Sequence, residues 1–515
     1  METATRPLPP RRYGAVAGLL SLAVGLGVAQ LVAGFWAGGK NPVVGMGEWI
    51  IDHVPRSVKD WAIRTFATND KLALIVGTLV ILVLVSMWLG RIAERRLAVA
   101  LAGVAVIAVV GALASLDHAR ATWASALPAL VGGGAAVFAL AWLNGWRPAA
   151  LAVSTPRGAT AGMGPDRRSF FVSAAAIAAG AAVAGGLGQA LRRRYAVAGQ
   201  RADLVLPPAP DTEAVPSGGN LGIAGQPPFI TPNSDFYRID TALLVPQVSP
   251  DHWRLKVHGM VDHELELSFA HLLKRPLIER DVTLSCVSNE VGGNLVGNAV
   301  WRGARLDDLL REAGVHPDAT QLFSTSVDGF TCGTPVAAVM DGRDAMLVVA
   351  MNGEPLPIKH GFPVRMVVPG LYGYVSATKW VEDLKLTTWD EQAYWVPRGW
   401  DQQAPVKTES RIDVPRGDQV DPGRVAVAGV AWAVHRGVSK VEVQIDDGPW
   451  QVARLGAVPS VDSWVQWVYE WDATRGDHVV TVRATDGKGV LQPEEPAPPP
   501  PNGAQGWHQR GYRVG

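Results

Sequence analysis

Cysteine is nearly absent from this chain: 515 residues contain two, Cys286 and Cys332. That scarcity excludes a disulfide scaffold and iron–sulfur clusters, which take about four thiolates each. No C-x-x-C-H occurs, so no haem is attached through thioethers. Histidine is sparse in the first 200 residues, where only His53 and His118 occur. Both fall in loops between apolar runs, so no haem held by paired axial histidines within the spans is expected. Net charge is missing as well: 47 basic residues balance 47 acidic ones, and no bulk basic field exists to draw nucleic acid. The two cysteines leave a mutual disulfide, buried thiols or a metal-binding thiolate open. Cys286 stands out because V-T-L-S-C-V-S-N-E-V-G-G ends an apolar β-type run and opens a Gly/Asn-rich loop. A thiolate on such a turn suits a soft transition metal.

What the chain has in excess is apolar length, all of it in the first 190 residues. Stretches 14–38, 72–89, 97–116, 124–143 and 170–190 approach the roughly 20 residues needed to cross a bilayer as helix. Arg6, Arg11 and Arg12, then Arg91, Arg95 and Arg96, then Arg147, Arg157, Arg167 and Arg168 fall on one side, which should be the cytoplasm. Lys40, Arg56, Lys59 and Arg64 in the first loop soften that contrast. Five spans place the remainder of the chain outside. The fifth is preceded by Asp166-Arg-Arg-Ser-Phe-Phe and followed by Arg192, Arg193 and Arg194, which an ordinary helix would not carry on its translocated end. Residues 166–190 resemble an internal twin-arginine export signal, a route for folded cargo, retained as an uncleaved anchor. The expected location is a bacterial cytoplasmic membrane, multi-pass, with the larger part extracytoplasmic. A transporter is disfavoured because charged residues are absent inside the spans.

The expected domains are a transmembrane region at 1–200, a Pro/Gly-rich linker at 201–225, an α+β domain at 226–402 and a β-sandwich at 403–515. In the third, 253–261, 282–286, 345–350 and 363–368 read as strands, 268–273 as a short helix capped by Ser268, and 305–313 as an amphipathic helix stopped by Gly314. In the fourth, alternating runs at 425–433, 440–445, 464–471 and 478–484 with intervening turn signals suit an immunoglobulin-like sandwich.

The ordered series T-L-S-C-V-S-N (283–289), W-R-G-A-R-L-D-D-L-L (301–310), M-N-G-E-P-L-P (351–357), H-G-F-P-V-R-M-V-V-P-G (360–370) and K-W-V (379–381) resembles the sulfite oxidase superfamily of molybdopterin enzymes over residues 226–510. G-V-A-W (429–432), R-A-T-D-G (483–487) and G-W-H (506–508) extend the resemblance into the sandwich, which in that family commonly mediates dimer contact. The resemblance implies an enzyme carrying molybdenum on a single pterin dithiolene, with Cys286 as the metal's protein ligand and catalytic centre. It implies His360, Arg365, Ser376, Thr378 and Lys379 around the pterin and its phosphate, the cations and hydroxyls supplying charge-assisted hydrogen bonds. Asn233, Tyr237 and Arg238 lie where the family reaches over the cofactor.

Departures matter as much. Sulfite oxidases have arginines shortly after the cysteine, in C-A-G-N-R-R; here Val287, Ser288, Asn289, Glu290 and Val291 follow. The tyrosine those enzymes place before M-N-G is replaced in the Val348-Val349 region. A dianionic substrate in a site stripped of cations meets a severe penalty. Two-electron oxygen-atom transfer with a neutral or organic small molecule, a sulfoxide or N-oxide, fits better. Sulfite oxidation and a non-catalytic membrane-anchored scaffold are the alternatives. Electrons are expected to pass to or from a separate partner, the quinone pool or a redox protein.

Overall fold

The computed structural model describes residues 13–36, 38–55, 70–117, 121–146 and 167–515, with 58, 61, 65 and 66 between them. They fall into two units, Met1–Ala196 with Ala242–Gln247, and Val197–Thr241 with Val248–Gly515.

The first unit is helical: α1 (Gly14–Ala33), α2 (Pro42–His53), α3 (Asp70–Ala93), α4 (Leu97–Leu116), α5 (Leu127–Leu143, entered through a tight turn at Trp123–Ala126) and α6 (Arg167–Arg193). All but α2 are long and apolar enough to cross a membrane. Small residues let their backbones meet: a Cβ on Gly18 or Gly90 would collide with the facing carbonyl of Ser86 or Gly14, so α1 and α3 touch at glycine. α1 stops at Ala33, short of the expected 38, because Gly34 caps it by donating to the Gln30 and Leu31 carbonyls. α2 is unanticipated; its 12 residues span only about 18 Å. Its start is conventional, with the Asn41 side chain accepting from the Val44 amide and proline at the first turn. Asp166 and the side chains of Arg167 and Arg168, on which the export signal rests, lie outside the described residues.

The second unit contains four sheets. Strands β1 (Asp211–Thr212), β4 (Leu277–Ser285), β5 (Val296–Arg305), β8 (Met346–Met351) and β10 (Arg365–Val367) lie side by side in the order β1-β4-β5-β8-β10, with β9 (Glu354–Pro355) on β8. β2 (Arg254–Gly259), β3 (Leu265–Ser268), β6 (Gln321–Ser326), β7 (Thr331–Pro335) and β11 (Val381–Thr387) form a second sheet, β3-β2-β11-β6-β7. β8 shows why the first sheet sits deep. All six of its residues are buried, and alternate side chains enter different cores, Met346 and Val348 one and Leu347 and Val349 the other. The Ser268 cap and the left-handed Gly314 stop appear as expected.

Residues 201–225 have little regular structure, as their composition suggests, yet they are not a bare tether. Leu204, Leu206 and Ala209 pack on the α+β core, β1 pairs parallel with β4, and Arg201 donates to the Pro355 and Leu356 carbonyls. Residues 242–247, expected inside the 226–402 domain, cluster instead with the helical unit.

The C-terminal strands make two sheets, β12-β14-β18-β17 and β13-β20-β19-β15-β16, from β12 (Glu409–Val414), β13 (Gln419–Val420), β14 (Gly423–Trp432), β15 (Val438–Ile445), β16 (Gln451–Val452), β17 (Arg454–Leu455), β18 (Val465–Ala473), β19 (Gly476–Asp486) and β20 (His508–Val514). Trp467 and Val427 from one sheet share a hydrophobic core with Val443, Val482 and Tyr512 from the other. Trp464, next to β18, joins the α+β core, and its indole N–H donates to the Phe229 carbonyl at 2.8 Å. The sandwich and the α+β layers therefore form one compact unit.

Candidate active site

Cys286 follows directly on β4, whose last five residues are all buried. Its amide donates to the Leu295 carbonyl at 2.9 Å and its carbonyl accepts from the Asn289 amide at 3.0 Å. Asn289 closes the loop: its Oδ1 accepts from the Leu295 amide at 2.8 Å, and its Nδ2 donates to Glu409 at 3.3 Å. The Ser288 amide points at the Cys286 sulfur, 3.4 Å away. Cys286 and Cys332 are both free thiols, so the disulfide reading is not adopted. Burial pushes the Cys286 thiol up, and Cys332 up to about 12. Among the described residues no three His, Cys, Asp or Glu side chains converge as a metal site. A metal held by Cys286 must bring its other ligands with it.

Glu409 is buried under this loop with Oε1 unpartnered. Burial raises it from 4.5 to about 8, against the lowering effects of Asn289, Lys407 and Arg411. Between those two values the folded protein keeps a proton that the unfolded chain releases, so this group's contribution to stability is lost as pH rises from 4.5 to 8. Glu409→Gln should remove that part of the decline, making the variant gain on the parent from pH 5 to pH 8 in denaturant titrations. Parallel stability curves would contradict this.

The other wall is built by the H-G-F-P-V-R turn. His360 ends a short turn at Ile358–His360, and Gly361 reverses the chain at φ +115°, where a Cβ would press to 3.0 Å on Arg365 Cβ and 3.2 Å on Lys379 Cα. Glycine thus lets His360, Arg365 and Lys379 crowd together. Arg365 is 5% exposed; its Nη1 and Nη2 donate to the His360 and Ala377 carbonyls at 3.2 and 3.3 Å, and its guanidinium lies 5.0 Å from the Trp301 ring. Its Nε and the His360 Nε2 have no partner. Burial lowers Arg365 to about 10 and Lys379 to about 8, the latter despite a 2.8 Å pair with Asp240. Burial, Arg365 and Lys379 together drop His360 to about 3, leaving it neutral at pH 7. Arg365, buried with its Nε unpartnered, and the largely buried Lys379 suit an anionic ligand bearing polar edges.

Tyr237, Cys286, His360, Arg365 and Lys379 line one cleft of about 930 Å³, open to solvent. Phe236 stacks on Tyr237 and meets His360 edge-on. Burial raises the Tyr237 phenol, and the Cys286 charge adds to that. The other four expected residues do not line the cleft. Asn233 donates to the Met351 carbonyl and Glu354 and accepts from Asn352, holding the M-N-G turn. Arg238 is not part of the lining but pairs with Asp240, which is, at 2.7 Å. The Ser376 hydroxyl is spent on the Leu371 and Tyr372 carbonyls, and that of Thr378 on Ser324. Conversely, Asp240, Ser288, Asp328, Trp395 and Trp400 line it without having been anticipated. Only Ser288, two residues beyond Cys286, carried a sequence signal.

The sequence profile described as Oxidoreductase molybdopterin binding domain matches residues 242–395. Human mitochondrial sulfite oxidase is 32% identical over 322 residues, 52% of this chain and 58% of that protein. Sulfite oxidase of Gallus gallus is 31% identical over 325 residues, 52% of this chain and 69% of that protein. The Uncharacterized oxidoreductase YuiH of Bacillus subtilis is 34% identical over 148 residues, 29% of this chain and 72% of its own length. Among solved structures, the sulfane dehydrogenase SoxCD from Paracoccus pantotrophus aligns over 56% of this chain and 83% of that one, at 23% identity and a TM-score of 0.49. The chain spans 58% of the length of the human enzyme. The matched sequences, with a free thiol, Arg365 and Lys379 in one cleft, lead to one assignment: the chain belongs to the sulfite oxidase family of molybdopterin oxidoreductases.

Proposed function

We propose that this protein is a membrane-anchored, extracytoplasmic molybdopterin oxidoreductase acting on an organic sulfoxide or N-oxide. The charge of the cleft carries that reading. Arg365 and Lys379 face Asp240 and Asp328 in the lining, and Arg238, paired with Asp240, adds one positive charge beside it, fewer than the two or more negative charges an anionic phosphate-bearing cofactor brings. A phosphate-bearing pterin would leave the cleft negative, and no arginine follows Cys286 to offset it. A dianion such as sulfite is then repelled, whereas a neutral oxide is not.

The residues fit the cofactor. Arg365, Lys379 and neutral His360 would hold its phosphate and ring edges, and Cys286 would bind the metal as thiolate despite its raised intrinsic value. When bound, the molybdenum–pterin group supplies a two-electron couple linked to transfer of one oxygen atom. The Ser288 amide, aimed at the sulfur, steadies its charge, and the Asn289 clamp holds the loop. In the net reaction the sulfur–oxygen bond of the sulfoxide breaks, and two electrons and two protons are consumed to give the sulfide and water. The electrons come from a separate redox protein or quinol, or from a reduced dye in the assay.

The five apolar helices support bilayer anchoring, and the arginine distribution supports an outward-facing larger unit. We read the C-terminal sandwich as immunoglobulin-like and as a homodimer contact. A second reading, sulfite oxidation, is favoured by the names of the relatives. Molybdenum and pterin analysis of the purified full chain, then reduced-dye assays with sulfoxides and N-oxides and an acceptor-dye assay with sulfite, separates them. Dye oxidation with a sulfoxide or N-oxide supports the proposal. Faster turnover of sulfite overturns it, and a metal-free protein would make it a scaffold.

A further inference from the structure

The cleft lining is mixed. Beside Cys286 and the ionic groups, Phe330, Tyr374, Trp395 and Trp400 line the same space and are each only partly buried. Partly exposed aromatic rings grouped at a cleft leave apolar surface in water, which a ligand can cover.

These rings are fixed in place. The turn Val396–Arg398 is closed by the Trp400 amide donating to the Trp395 carbonyl at 3.3 Å, and it sets the two indoles edge-to-face at 6.3 Å. Arg398 lies 3.7 Å over the Tyr394 ring and donates to the Tyr394 carbonyl at 2.7 Å. Tyr394 in turn meets Phe330 at 5.6 Å, and its amide donates to Thr331. The Tyr374 hydroxyl donates to the Asp401 carbonyl at 2.7 Å, anchoring its ring to the same turn, 6.0 Å from Trp400. Three separate segments thus hold one aromatic surface rigid, and its ordering entropy is spent on folding rather than on binding.

We propose that this surface is a specificity-determining wall, and that the substrate carries an apolar substituent of about phenyl size beside its oxidised sulfur or nitrogen. The inference rests on the sulfoxide or N-oxide reading above and names the kind of molecule within it. The oxide points toward Cys286 and the substituent stacks among Phe330, Tyr374, Trp395 and Trp400. Burying one ring against aromatic faces is worth roughly 10- to 100-fold in specificity.

Two measurements on the cofactor-loaded full chain test it. With a reduced dye, methyl phenyl sulfoxide should exceed dimethyl sulfoxide in kcat/KM by roughly 10- to 100-fold, and that ratio should fall toward one in Trp400→Leu and in Trp395→Leu. By calorimetry, methyl phenyl sulfone, an inert analogue, should bind at least about tenfold tighter than dimethyl sulfone, with the difference lost in both variants. Melting curves establish that each variant is folded, and either one suffices. Equal specificity for both sulfoxides, or a preference that survives in the variants, overturns the wall. Should no sulfoxide or N-oxide be turned over, the proposed reaction fails, and the sulfones still decide the wall: selective binding of the aryl sulfone supports it and equal binding overturns it.

Discussion

Cys286→Ser should reduce oxygen-transfer activity by at least roughly a thousandfold, the scale seen when a single catalytic group is removed. Serine keeps the shape but replaces a soft sulfur with a hard hydroxyl that stays protonated near neutrality, so the metal loses the ligand its chemistry prefers. The fold has little reason to respond. Both main-chain hydrogen bonds of Cys286 use its amide and carbonyl, and Asn289 fixes the loop independently of the side chain. Unfolding free energies from denaturant titrations should therefore agree to within about 1 kcal/mol while turnover collapses. A variant that keeps a tenth of the activity would show that the sulfur is not at the reacting centre.

Arg365→Leu separates stability from function. Burial pulls Arg365 down to about 10, which means that the fold bears a charge it would rather not hold when no anion is present. Its two hydrogen bonds, at 3.2 and 3.3 Å, are long. Leucine should leave the cofactor-free protein about as stable as the parent or more so, while cofactor retained through purification falls at least about tenfold, since a charge-assisted contact to a phosphate is worth about 1.5 to 3 kcal/mol. Fluorescence of the released, oxidised pterin measures retention, and thermal melting of the cofactor-free protein measures stability. Undiminished pterin content would remove Arg365 from the site.

Local chemistry made much of the fold legible. The Ser268 cap, the Gly314 stop and the buried strand before Cys286 each follow from a few adjacent residues, and each is present. α2 carried the same kind of signal, Asn41-Pro42, but Glu48 and Asp52 broke its apolar run and hid it from a search for spans. Residues 204–209 read as linker because isolated apolar residues among prolines have no period, although Leu204 and Leu206 pack against the core. At the site, the crowding of His360, Arg365 and Lys379 was foreshadowed by the glycine in H-G-F-P-V-R. Arg238 was misplaced because it stays out of the lining and meets it only through its pair with Asp240, and ion pairs leave no mark in spacing. Trp395 and Trp400 were invisible for a different reason. They lie in a loop more than a hundred residues from Cys286, and only tertiary folding brings the two together.

X-ray absorption at the molybdenum edge of the purified full chain, beside Cys286→Ser loaded in the same way, bears most directly on all of this. The account predicts molybdenum in the parent with a sulfur shell that shrinks by one scatterer in the variant. An identical sulfur shell in both proteins would contradict it.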